Sequence, residues 1–145
     1  MKYKVVIIDD EKPARDLIRN FLSDFTEIEI VAECSNGFEG FKAIQELSPD
    51  LIFLDVQMPK ISGFEMLELL DEFPAVIFST AYDEYAIKAF DLSAVDYLLK
   101  PYNQDRFNQA VEKAFEKIKA KDSSGKEEKE LERVQAELTE YLDRV

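Results

Sequence analysis

The chain has 145 residues, enough for one domain with a short appendage, and its 46% hydrophobic and 34% charged residues suit a globular protein, not a disordered one. A formal net charge of −13 argues against direct DNA or RNA binding, which needs clustered Lys and Arg, and favours a cationic partner or metal ions. With no histidine and one cysteine, Cys34, the sequence excludes an internal disulfide, Ser-His and Cys-His nucleophile pairs, the usual zinc sites and a phosphohistidine-donor role.

No apolar run approaches the roughly 18 residues that a membrane-spanning helix needs. The stretch from Met1 to Ile8 is too short for a signal peptide and runs straight into acids. The protein is therefore expected in the cytoplasm, with no membrane partner.

Tyr3 to Ile8 predicts a strand buried on both faces, then acids, then a helix beginning near Pro13, a residue suited to a first turn. Leu17, Ile18, Phe21, Leu22 and Phe25 carry its apolar stripe. Ile28 to Cys34 predicts a half-buried strand, on which Cys34 reads as a small packed residue in preference to a reactive thiol. Asn36 opens a helix with Phe38, Phe41, Ile44 and Leu47 on one face. Pro49 and Asp50 precede Leu51-Ile52-Phe53-Leu54, an apolar strand ending in Asp55. Ser62-Gly63-Phe64-Glu65 is a capping box for a third helix, with Phe64, Leu67 and Leu70 inward. Ala75 to Ser79 predicts a fourth strand, Asp83 a cap for a short helix through Phe90, and Val95 to Leu99 a fifth strand stopped by Pro101. Asn103 begins a helix that buries Phe107, Val111, Phe115 and Ile118.

Strands alternating with helices at this spacing predict βαβ units, a parallel five-stranded sheet and right-handed crossovers. The fold class is α/β, a three-layer α/β/α sandwich over residues 1–118. Residues 119–126 read as a linker and 127–145 as a charged helical tail. Leu131, Val134, Leu138, Tyr141 and Val145 repeat there at 3-4-3-4 spacing, a heptad seam of about two heptads. It reads either as the start of an interdomain helix or as a dimerising or docking coiled coil.

In a doubly wound sheet, function collects at the carboxyl ends of the strands. There the sequence sets Asp9-Asp10-Glu11 after strand 1, Asp55 after strand 3, Ser79-Thr80 at strand 4 and Lys100 after strand 5. Three clustered carboxylates repel, and a divalent cation relieves the conflict. Without His or Cys ligands, Mg²⁺ is expected, with Mn²⁺ as a substitute. An aspartate beside such a metal can attack phosphorus, while Lys100 and the Thr80 hydroxyl offset charge on the phosphoryl oxygens. Singly, each residue has a bland reading: acids at strand ends cap helices, a threonine sits in a loop, a lysine is solvated. The combination, in this order, is specific.

These residues resemble the receiver domain of two-component response regulators, the CheY-like family. The matching pieces are Val5 to Glu11, Leu51 to Pro59, Ser62-Gly63, Ser79-Thr80-Ala81 and Asp96 to Pro101. The resemblance implies a flavodoxin/CheY-like sheet with strand order 2-1-3-4-5. It implies that Asp55 is the phosphoacceptor for a sensor histidine kinase. Asp10, Asp55 and the backbone carbonyl of Gln57 would bind Mg²⁺ directly, and Asp9 through water. Lys100, before an expected cis Pro101, would pair with the phosphoryl group, and Thr80 and Tyr97 would form a switch pair acting on helix 4, strand 5 and helix 5. Such a domain is a signalling phosphoacceptor, not a metabolic enzyme, and it often self-associates through that face or, here, the tail. The stretch Thr80 to Phe90 is similar to receivers of LytTR-type regulators, whose DNA-binding domain follows the receiver. Residues 119–145 are too few and too acidic to be one, so DNA contact would need a domain outside this chain.

Four rivals remain beside this reading. A phosphatase of the haloacid-dehalogenase type would carry a second aspartate two residues after the nucleophile, where this chain has Gln57. A flavin module would need glycines and free N–H groups where Asp9-Asp10-Glu11-Lys12-Pro13 stands. A pseudo-receiver would lack a pocket residue, and none is missing. A stand-alone receiver would act on a protein partner with no DNA-binding domain.

Overall fold

The computed structural model describes residues 2–144, and of 123–130 and 144 only the backbone. Five strands, β1 (Tyr3–Ile8), β2 (Ile28–Cys34), β3 (Leu51–Leu54), β4 (Ala75–Thr80) and β5 (Asp96–Leu99), pair in parallel in the order β2-β1-β3-β4-β5. This is the expected CheY-like order. The helices α1 (Lys12–Leu22), α2 (Gly37–Leu47), α3 (Gly63–Glu68), α4 (Ala86–Asp91) and α5 (Gln104–Arg144) alternate with them.

The period-two geometry of a strand splits the core in two. From β1, Val5 and Ile7 face one layer with Ile18 of α1 and Phe107 and Val111 of α5. Val6 and Ile8 face the other layer with Ile44 of α2, Phe64 and Met66 of α3 and Ala89 of α4. Continuous apolar runs such as Leu51 to Leu54 are what strands covered on both faces require. The sheet thereby ends its β1, β3, β4 and β5 strands on one edge, where the acids lie.

Local signals operate largely as read. Asn36 accepts a bond from the Glu39 amide, and Ser62 and Glu65 form a reciprocal capping box. Pro13 sits in the first turn of α1, and the Lys100-Pro101 bond is cis.

Four expectations are corrected. Phe38 is half exposed, and α2 turns Gly37, Gly40, Ala43 and Ile44 inward. The reason is close approach: a Cβ on Gly40 would lie 2.7 Å from Ile8 Cδ1, so the helix rests its glycine face on the sheet. Leu17, 40% exposed, likewise falls outside the buried face of α1. At α4, the Asp83 backbone carbonyl, not its side chain, takes the Ala86 amide, and the helix starts three residues later than Asp83. Finally, the helical backbone of α5 passes unbroken through 119–126, where a linker was expected. A lone Gly125 costs a helix only about 1 kcal/mol, and the Lys and Glu run from Lys126 onward favours the helix. Leu131, Val134, Leu138 and Tyr141 are all exposed, and Val145 lies outside the described residues.

Candidate phosphoacceptor site

Asp9 follows β1 and is 1% exposed. Its carboxylate is committed on both sides: Oδ1 accepts from the Glu11 amide at 2.9 Å and Oδ2 from Lys100 Nζ at 2.9 Å. Arg15 Nη1 donates to the Asp9 carbonyl at 2.7 Å, which ties α1 to the end of β1. Glu11 occupies the helix N-cap position without a side-chain bond, so these acids are not ordinary caps.

Asp55 follows β3 and is 7% exposed. Lys100 Nζ stands 3.4 Å from its Oδ2, whereas its Oδ1 is buried with no hydrogen-bond partner. Burial pushes the Asp55 carboxyl above its usual range; the Lys100 charge opposes this and the Asp9 charge adds to it. For Lys100, burial works to lower the ammonium, but the Asp9 bond and the charges of Asp55 and Asp9 outweigh it and raise it.

Asp10 is exposed at the mouth, and Asp9, Asp10 and Asp55 each offer a carboxylate oxygen within 4.8 Å of the others. Three hard carboxylate donors this close together, with Asp55 also keeping a buried oxygen that has no hydrogen-bond partner, fit Mg²⁺. A cleft of about 340 Å³ opens over them, bordered by Asp55, Gln57, Tyr82 and Lys100.

Thr80, at the end of β4, is fully buried, and its Oγ1 accepts from the Tyr82 amide at 3.4 Å. The Tyr97 hydroxyl donates to the Tyr82 carbonyl. Thr80 and Tyr97 thus meet at the Tyr82 peptide, a connection that sequence reasoning did not foresee. It also passed over Tyr85, whose hydroxyl accepts from Gln57 Nε2 at 2.9 Å, and Tyr102, whose hydroxyl shares a 2.8 Å hydrogen bond with Ser79. Only the proximity of Tyr102 to Lys100 in the chain hinted at the latter. Cys34 is buried at the end of β2, and burial pushes its thiol up to about 11, which fits a packed residue.

Two buried carboxylates and an exposed third, facing a lysine at the carboxyl edge of a parallel sheet, match the set that the receiver resemblance implies, and similarity to known proteins points the same way. A family model for the response regulator receiver domain matches residues 5–112, and the chain belongs to that family, the receivers of two-component response regulators. It is similar to the transcriptional regulatory protein BtsR of Escherichia coli K12, 53% identical over 110 residues that cover 74% of this chain and 46% of that protein. An uncharacterized response regulatory protein of Vibrio cholerae is 45% identical over 121 residues, 82% of this chain and 51% of its own. The chain therefore spans about half the length of the curated relatives it matches. Among solved structures, the receiver domain of AraT from Geobacillus stearothermophilus superposes with a TM-score of 0.76 at 34% identity, covering 84% of this chain and 99% of that one. The response regulatory domain of mrkE from Klebsiella pneumoniae gives 0.74 at 31%, covering 81% and 98%. No described helix is long and apolar enough to cross a membrane.

Proposed function

We propose that Asp55 accepts a phosphoryl group from a phosphohistidine on a sensor histidine kinase in a Mg²⁺-dependent step. The observation that carries this is the buried Asp55 Oδ1 without a partner, beside two further carboxylates and opposite Lys100. An Asp55 carboxylate oxygen forms the new bond to phosphorus as the bond to the imidazole nitrogen breaks, and the imidazole keeps the electron pair. Asp10, Asp55 and the Gln57 carbonyl would hold the Mg²⁺, with Asp9 acting through water, and the ion supplies positive charge to the equatorial oxygens. Lys100 pairs with one phosphoryl oxygen and Thr80 donates to another.

In this reading the domain catalyses only its own phosphorylation and dephosphorylation. Thr80 and Tyr97 then bias the surface of α4, β5 and α5 between two states. The chain divides into a receiver over 1–118 and the helical extension of α5, works in the cytoplasm and self-associates through the α4-β5-α5 face or that extension. Because half of each curated relative lies beyond the match and BtsR is a transcriptional regulator, the output is transcription, through a LytTR-type DNA-binding domain outside this chain.

Intact-mass measurement after incubation with acetyl phosphate and Mg²⁺ tests this. One base-labile phosphoryl group should appear, and none with Asp55→Asn or with excess chelator. A wild-type protein that never gains it would be a pseudo-receiver.

A further inference from the structure

We infer that the exposed stripe on the second half of α5 pairs with the same stripe of a second copy as a short parallel two-helix coil. This does not depend on the phosphoryl-transfer reading.

Among the described residues Ile118 is the last that α5 contributes to the core, and the helix continues to Arg144. At about 1.5 Å per residue, that extension reaches roughly 39 Å beyond the receiver. On it Leu131, Val134, Leu138 and Tyr141 are 59%, 50%, 57% and 65% exposed, and with Leu142 they leave five large apolar side chains in water.

The spacing identifies the kind of occupant. The part of α5 that packs on the sheet presents a wide stripe, Phe107, Ala110, Val111, Ala114 and Ile118. The tail stripe is carried by first and fourth heptad positions, with Leu142 on its flank, and this 3-4-3 spacing is the seam that a second helix fills.

Direction settles where that helix lies. At about 100° per residue along the unbroken helix, the middle of the tail stripe falls about 180° round the axis from Phe107, Val111, Ala114 and Ile118. The seam therefore faces away from its own receiver. Two copies joined along it keep their receivers on opposite outer sides of the coil, so the bodies do not collide. A two-fold pair matches the repeat to itself automatically.

Charge chooses the orientation. Antiparallel pairing that sets Val134 opposite Leu138 of the second copy brings Glu137 against its own symmetry mate. Parallel pairing places Glu137 beside Leu142, itself 62% exposed, so apolar surface is covered and no like charges face across the seam. Two heptads make a small interface, so dissociation in the range of about 10–100 μM is expected for the whole chain. Because the chain carries a net charge of −13, added salt should tighten the pair.

Sedimentation of residues 1–145 across that concentration range tests the inference. The weight-average mass should rise from one copy toward two, and Leu131→Glu with Leu138→Glu should weaken association at least tenfold with unchanged receiver melting. In a Cys34→Ser background, Val134→Cys should form a disulfide-linked dimer on mild oxidation, since a parallel register sets position 134 against itself. A monomer at every concentration would overturn the inference, as would a dimer indifferent to the two glutamates, which would place the contact elsewhere. Linkage only between Val134→Cys and Leu138→Cys in a mixture would overturn the parallel arrangement.

Discussion

Lys100 stands nearer to Asp9 than to Asp55: its Nζ is 2.9 Å from Asp9 Oδ2 and 3.4 Å from Asp55 Oδ2. The lysine thus serves as counter-charge to the buried acids and is already within reach of a group arriving on Asp55. Lys100→Ala should slow phosphoryl uptake from acetyl phosphate about a hundredfold, the usual effect of removing one preorganised charge donor. Mg²⁺ should bind more tightly to the variant, because a competing cation has gone. Uptake followed by intact mass, and Mg²⁺ titration followed by tyrosine fluorescence, check the two halves separately.

Asp55 shapes the pH dependence of stability. Burial raises its carboxyl in the fold above the ordinary 3.8, so folding favours the protonated form. That contribution is present in full below 3.8 and is lost as pH rises through the raised folded value. Metal-free protein should therefore lose part of its stability on going from acid toward neutral pH, and Asp55→Asn should abolish that part. At pH 7 the variant should melt higher by a few degrees, since about 1 kcal/mol corresponds to roughly 4 °C in a domain of this size. Mg²⁺ should raise the melting temperature of wild type more than that of the variant in calorimetry.

Tyr85 holds the Gln57 amide across the mouth of the cleft at 2.9 Å. Removing its hydroxyl frees an amide that can then orient water near the acyl phosphate. Tyr85→Phe should shorten the phosphoryl lifetime about fivefold, the equivalent of one neutral hydrogen bond of about 1 kcal/mol. Adding it to Gln57→Met should have no further effect, which a decay series over the four proteins would reveal.

Gly63 carries the loop after Asp55 against the sheet. A Cβ there would sit 2.4 Å from the Asp55 carbonyl oxygen, a backbone atom that cannot swing away. Gly63→Ala should cost about 1–3 kcal/mol by overpacking. It should also weaken Mg²⁺ binding, because the displaced segment holds Asp55. Chemical denaturation with and without Mg²⁺ gives both numbers.

Much of the sheet was legible because strand burial is written in short range. The runs Val5 to Ile8 and Leu51 to Leu54 are apolar at every position, which only a strand covered on both faces tolerates. Asn36 and Ser62 announced helix starts through bonds that span three residues. The site was legible for a related reason: in a parallel sheet every strand ends on the same edge, so acids after β1 and β3 and a lysine after β5 must share it.

What escaped the sequence depends on approach between distant segments. Periodicity nominated Phe38 for the core, but contact of Gly40 with Ile8 and Met66 set the rotation of α2 and left Phe38 outside. Tyr85 and Gln57 are 28 residues apart, and nothing in either neighbourhood marks them as partners.

The sequence by itself determined the layers, the chain order of the strands and the residue types gathered at their carboxyl ends, because periods of two and 3.6 residues and capping bonds are local. Only the tertiary structure decided that Lys100, 91 residues from Asp9, leans toward it, and that Asp55 Oδ1 is left without a partner. Each of those is a distance or a direction between separate segments, and packing sets it.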